Sequence, residues 1–162
     1  MISAGVITVS DKGAQGQRED VSGKEVAALL RELPADVCGY CIIPDEIEAI
    51  QAAIVDFVDN QTLDLVVTTG GTGVSPRDVT PDATLCIIEK EIPGMAEAMR
   101  RDSMERTPHA MISRAVVGIR KESLIINLPG SPKGARENLT VLIPALKHAI
   151  EKIKGDQSDC AV

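Results

Sequence analysis

Apolar and polar positions along this chain switch between two periods. Ile2 to Val9 is a short run rich in β-branched residues and reads as a strand. The polar, glycine-containing stretch Ser10 to Val21 reads as a loop. Behind Ser22-Gly23-Lys24-Glu25, a capping-box pattern, Val26, Leu29, Leu30 and Leu33 fall at helical spacing. Val37 to Ile43 reads as a second strand, ended by Pro44. Asp45-x-x-Glu48 has the form of a second helix cap, with Ile47, Ile50, Ile54 and Phe57 or Val58 on the apolar face. Leu65 to Thr69 reads as a third strand. A helix is expected from about Pro81 to Lys90, with Thr80 as its N-cap, and Pro93 opens another that carries Met95 and Met99. Val116 to Ile119 and Leu124 to Leu128 form a hairpin pattern around Arg120 to Ser123. The last helix carries Leu139, Leu142, Leu146, Ile150 and Ile153, and Pro144 should kink or restart it.

Strands alternating with helices predict an α/β fold: three layers, a mostly parallel sheet with helices on both faces, and a late antiparallel hairpin. Without repeats or linkers, residues 1–154 read as a single domain and 155–162 as a flexible C-terminal tail. In such sheets ligands bind where strands end at their carboxyl ends. The loops after Val9, Ile43, Thr69 and Leu128 should therefore converge, bringing together Ser10 and Asp11, Asp45 and Glu46, Gly70 to Gly73, and Asn127 to Lys133.

The chain has 162 residues, 44% of them hydrophobic and 25% charged, which suits one globular domain with a real core. A formal net charge of −7 disfavours nonspecific nucleic-acid binding, and one Tyr, one Phe and no Trp leave little to stack on bases. No apolar run reaches membrane-spanning length and the start carries no basic signal region, so the chain reads as cytoplasmic with no membrane partner.

The most telling stretch is Thr68-Thr69-Gly70-Gly71-Thr72-Gly73, running on through Asp78 to Asp82. Three glycines in four residues let a backbone approach a ligand closely, and successive N–H groups there can cradle phosphate oxygens. Asp78 and Asp82 could hold the divalent cation that accompanies a nucleotide. A simple turn, with acidic residues favoured by the helix dipole, explains the same pattern. The run matches neither the P-loop nor the dinucleotide fingerprint. Cys38-Gly39-Tyr40-Cys41 has redox-motif spacing but falls inside a strand, where positions three apart face opposite ways; the two read as small buried hydrophobes. Cys86 is expected on a helix and Cys160 in the tail. His109 and His148 read as structural or surface residues. The Met-bearing face reads as core or subunit contact.

Taken together, Thr68 to Gly73 with Arg77-Asp78-Val79-Thr80-Pro81-Asp82-Ala83-Thr84 resembles the signature of the molybdopterin adenylyltransferase family, which includes the G domain of gephyrin and its plant counterpart. The resemblance extends through Val9-Ser10-Asp11, Pro44-Asp45-Glu46, Ile92-Pro93-Gly94-Met95, Met111-Ile112-Ser113-Arg114, Gly118-Ile119-Arg120 and Leu124 to Gly134, in the same order. It implies molybdenum cofactor synthesis by a homotrimer. Molybdopterin is adenylylated with Mg-ATP, releasing pyrophosphate, before a downstream protein inserts molybdate. Asp45 and Asp78 match the family's functional carboxylates, which implies that both are catalytic and hold Mg²⁺. Gly70, Gly71, Thr72 and Gly73 are implied to cradle phosphate. Ser10, Asp11, Asp20, Ser22, Asn127, Pro129, Gly130 and Ser131 are implied to line the rest of the pterin and nucleotide site. Three alternatives stay open: a sister branch that binds pterin with a different or lost catalytic role, a relative acting on nucleotide pyrophosphates, and an assembly module.

Overall fold

The computed structural model describes residues 1–158. Its elements, in order, are β1 Ile2–Val9, α1 Asp11–Ala14, α2 Ser22–Arg31, β2 Ala35–Ile43, α3 Ile47–Val55, a π-helical turn Asp56–Asn60, β3 Leu65–Thr69, α4 Thr80–Leu85, β4 Lys90–Glu91, α5 Pro93–Met104, a 3₁₀ helix Pro108–Ile112, β5 Val117–Arg120, β6 Ser123–Leu128 and α6 Pro132–Ile153. The last four residues of the expected tail, and Cys160 with them, lie outside the described residues.

The six strands form one sheet in the order β2-β1-β3-β6-β5-β4. β1, β2, β3 and β6 pair in parallel, and the β5–β6 hairpin and its neighbour β4 add the antiparallel edge. All residues of β3 and β6 are buried, as a strand covered on both faces requires. Alternate residues feed two cores. Val67, Leu124, Ile126 and Leu128 pack with α2, α5 and α6. Ile7, Val66 and Ile125 pack with α3, the π-helical turn and Ala83 of α4. The result is the expected three-layer α/β arrangement with its late hairpin.

Several local expectations give way. Ser10 to Val21 is not all loop, because Ser10 caps the short α1 by accepting from the Gly13 N–H at 3.1 Å. The helix after the glycine loop is only Thr80–Leu85, since Lys90 and Glu91 are drawn into pairing with Ile119 and Gly118. Thr80 is not its N-cap; that position is Val79. Cys86 follows the helix as its C-cap and is exposed. Pro144 does not restart α6, which runs unbroken from Pro132 to Ile153. The β1–β2 register skips Cys38, so the strand bulges there and the simple alternation of faces fails. Cys38 is exposed, not buried, and Cys41 is only half-buried against the second core; both are free thiols.

Candidate active site

Leaving β1, the chain first runs to the edge strand β2 and then returns to β3 on the other side of β1. The carboxyl ends of β1 and β3 therefore flank a topological switch point, where a parallel sheet opens a crevice. A cavity of about 660 Å³ lies there. Val9 and Ser10 at the end of β1, Gly70 and Gly71 after β3, and Gly130 and Ser131 after β6 meet in its wall. Asp20 and Ser22 enter from the start of α2, and Asp45 from the loop after β2. A second cavity of about 400 Å³ has Ser131 in common with the first. Its lining takes in Thr72, Gly73, Pro129 and Ser131, together with Arg100, Arg106, His109, Ser113 and Lys133. The Lys133 side chain is 83% exposed, with a distant contact to Glu137.

The glycine loop is built for close backbone approach. Gly70 and Gly71 both have positive φ. A Cβ on Gly70 would lie 2.3 Å from the Val9 carbonyl oxygen, and one on Gly71 would lie 2.4 Å from Thr80 Oγ1. Thr80 fastens the turn: its hydroxyl donates to the Gly70 carbonyl at 2.9 Å and its N–H to the Gly71 carbonyl at 3.1 Å.

Neither Asp45 nor Ser22 caps a helix as its motif suggested. Glu46, not Asp45, is the N-cap of α3, and its side chain makes no capping bond. Asp45 pairs reciprocally with the α1 segment: its Oδ2 accepts from the Asp11 N–H at 2.8 Å, and its own N–H donates to Asp11 Oδ1 at 3.0 Å. The capping box at Ser22 is not formed either. Asp20 accepts from the Gly23 N–H at 2.8 Å, freeing the Ser22 hydroxyl to donate to the Gly130 carbonyl at 2.5 Å. Asp20 is buried, and it also accepts from the Thr8 hydroxyl at 2.6 Å and from the Tyr40 phenol. Burial and then the hydrogen bond to Asp20 push the Tyr40 phenol above its usual range. At the next strand end, Ser131 caps α6 by accepting from the Gly134 N–H at 3.1 Å. The N-termini of α2 and α6 thus both open at the larger cavity, where helix dipoles favour anions.

Burial raises the Asp45 carboxyl above the ordinary aspartate value, against the hydrogen bond from Asp11. Asp78 stands close enough to raise it further, and Arg77 close enough to oppose this. The Arg77 fork, however, is spent on Asp11, at 3.0 and 2.8 Å. That pairing holds the Asp11 carboxyl below its usual range. Asp78 Oδ2 accepts from the Ser75 N–H at 2.9 Å, and Asp78 lines neither cavity. Asp82, the other candidate cation ligand, is taken by Arg114 in a two-point ion pair at 3.1 and 3.0 Å. Among the described residues no group of three His, Cys, Asp or Glu side chains is arranged to hold a metal. Asp45 and Asp78 nevertheless suit Mg²⁺, which is commonly held by one or two carboxylates plus substrate phosphates. Asp45 makes no ion pair among the described residues, and a partly desolvated carboxylate of that kind gains from such an ion.

Of the residues expected to line the site, Asp11 and Asn127 line neither cavity. Asn127 is wholly buried, donates to the Thr68 and Thr84 hydroxyls at 3.0 Å each, and accepts from the Val116 N–H at 3.2 Å. Its place is in the floor that carries the loop. Sequence reasoning gave Thr80 the role of a cap and passed over its hold on the glycine turn, and it passed over Tyr40 and the roles of Arg77 and Arg114, which act through contacts distant in sequence.

The family model described as "Probable molybdopterin binding domain" matches residues 5–148. Gephyrin of Dictyostelium discoideum is 44% identical over 161 residues, covering 93% of this chain and 22% of that protein. The molybdopterin adenylyltransferase of Helicobacter pylori strain J99 is 42% identical over 157 residues, covering 96% of this chain and 89% of its own length. Among solved structures, the molybdopterin biosynthesis enzyme MoaB of Thermus thermophilus superposes with a TM-score of 0.91 at 44% identity, covering 96% of this chain and 98% of that one.

Proposed function

This chain belongs to the molybdopterin-binding domain family of molybdenum cofactor biosynthesis, and from that premise we propose that it is itself a molybdopterin adenylyltransferase. In this reading a terminal phosphate oxygen of molybdopterin attacks the α-phosphorus of ATP. The bond from that phosphorus to the bridging oxygen breaks and pyrophosphate leaves. Both reactants are anions, so the work of the site is to position them and offset their repulsion. The Gly70 N–H is spent on the Leu128 carbonyl at 3.1 Å, so Gly71 to Gly73 offer the backbone N–H groups, and the α2 and α6 N-termini add positive potential. Asp45 and Asp78 would hold Mg²⁺, which when bound neutralises phosphate charge. Ser131 lines both cavities, and the two loops are divided between them, Gly70, Gly71 and Gly130 on one and Thr72, Gly73 and Pro129 on the other, so each loop can serve two reactants.

The observation that carries the reading is the meeting of Ser10, Asp20, Asp45, Gly71 and Gly130, from five separate segments, around one cavity at the switch point. The same reading makes the protein a homotrimer in the cytoplasm that passes adenylylated molybdopterin to a molybdate-insertion protein.

The test is pyrophosphate release from Mg-ATP, which should occur only when molybdopterin is supplied. Asp78→Asn should nearly abolish it and leave pterin binding largely intact, because charge is lost and shape is kept. Pterin binding without pyrophosphate release in the wild type would instead support the sister-branch role.

A further inference from the structure

Between Gly70 and Thr80 the chain forms no helix or strand, yet it carries Asp78. The segment is rich in glycine, serine and proline, so its shape has to be imposed by contacts from elsewhere in the fold. Thr80 holds its glycine end and the Ser75–Asp78 turn holds the Asp78 end, and the two ends are joined by Arg114, in the stretch between the 3₁₀ helix and β5. Its backbone N–H donates to the Thr72 carbonyl at 2.8 Å. Its Nε donates to the Gly73 carbonyl at 2.8 Å and its Nη2 to the Asp78 carbonyl at 2.5 Å. The two terminal nitrogens also meet the Asp82 carboxylate. One planar guanidinium thus ties together the glycine end of the loop, the carboxylate-bearing end and the first turn of α4. Asp78 itself packs under the glycine end, where a Cβ on Gly73 would lie 2.8 Å from its Oδ2.

We propose that Arg114 is a positioning residue for Asp78, fixing its carboxylate relative to the phosphate-binding glycines by gripping the Gly73 and Asp78 carbonyls with one rigid fork. The inference rests on reading the chain as a Mg²⁺-dependent adenylyltransferase. It is a claim about geometry, not charge. The positive charge of Arg114 is already met by Asp82, so what the side chain adds is directed hydrogen bonds at fixed angles. A lysine keeps the charge but cannot make those bonds from one compact ammonium group.

The experiment compares wild type, Arg114→Lys and Arg114→Ala. Mn²⁺ binding is read by water-proton relaxation in the presence of a nonhydrolysable ATP analogue, and Mg²⁺ dependence by pyrophosphate release. Thermal melting reports folding. Both variants should bind Mn²⁺ roughly 10- to 100-fold more weakly, the usual effect of losing a group that orients a metal ligand. The half-saturating Mg²⁺ concentration should rise in parallel, and turnover at saturating Mg²⁺ should fall by less. A folded Arg114→Lys protein with wild-type Mn²⁺ affinity would overturn the proposal, as would a wild type that holds no Mn²⁺. If Arg114→Ala fails to fold, Arg114→Lys still decides the matter. A wild type that binds Mn²⁺ but releases no pyrophosphate would defeat the adenylyltransferase reading alone, and the Mn²⁺ comparison would still judge Arg114.

Discussion

Asp45 is held partly out of water at the mouth of the larger cavity, and its carboxyl is raised by that burial. The sign of the resulting pH dependence is fixed. The folded-state pKa lies above the unfolded value near 3.8, so Asp45 costs nothing below that value. Its cost appears as pH rises through the folded-state pKa, where the charged form must be kept in a poor site. Asp45→Asn removes that cost and can still accept from the Asp11 N–H. In metal-free buffer the variant should match the wild type at low pH and be more stable at neutral pH. The gain should be about 0.5 kcal/mol or less, because the group is far from fully buried and solvent screens it. Melting temperatures across a pH series check this, and a variant less stable at neutral pH would mean that Asp45 is chiefly structural. The same residue shows where sequence reading reached its limit. Asp45-x-x-Glu48 and Ser22-x-x-Glu25 both have the local form of a helix cap. In each case a partner far along the chain takes the side chain instead: the α1 backbone for Asp45, and the Gly130 carbonyl for Ser22. The motif residues were legible, but their partners, set by the meeting of loops from four strand ends, were not.

At the scale of elements, β1 and β3 lie where the hydrophobic pattern put them, because each is a short run rich in β-branched residues that ends where a polar or glycine-rich loop begins. The β1–β2 pair holds something the pattern could not show. Gly5 and Gly39 stand opposite each other in the ladder just past the bulge, and the ring of Phe57, the only phenylalanine, lies across both. A Cβ on Gly5 would come within 2.4 Å of the ring, and one on Gly39 within 2.9 Å. The glycines are there to admit the ring, and the ring fills the space they leave in the second core. Gly5→Ala should therefore destabilise the protein by about 1–3 kcal/mol through overpacking. Shortening the ring partner in Gly5→Ala/Phe57→Leu should recover part of that loss. Denaturant titrations of the two single variants and the double variant measure the coupling. Simple additivity would show that the ring and the strand glycine are not packed as described.

For the whole molecule, the stretch from Pro93 to Ile119 is rich in methionine and branched aliphatics, more than one side of so small a sheet would need. Part of that excess is absorbed by the monomer. Met99, Val116 and Val117 are buried in its own core, and Met95 packs partly against it. What remains is a smaller patch at the end of α5 and on the 3₁₀ helix: Met104 is 43% exposed, Met111 69% and Ile112 52%. Large side chains grouped this way on a surface usually meet another protein. Under the proposed function the expected neighbours are further copies of this chain, closed as a trimer. Ile112 also lines the smaller cavity, so a subunit seated on the patch would wall one side of it. Assembly and ligand binding should then fail together. Light scattering on the wild type should give three times the chain mass at micromolar concentration. Met111→Lys/Ile112→Lys, which alters only exposed positions, should give the mass of one chain with its fold intact and weakened molybdopterin binding. A wild-type monomer at that concentration would defeat the trimer. A monomeric variant with unchanged ligand affinity would keep the trimer but remove its part in forming the site.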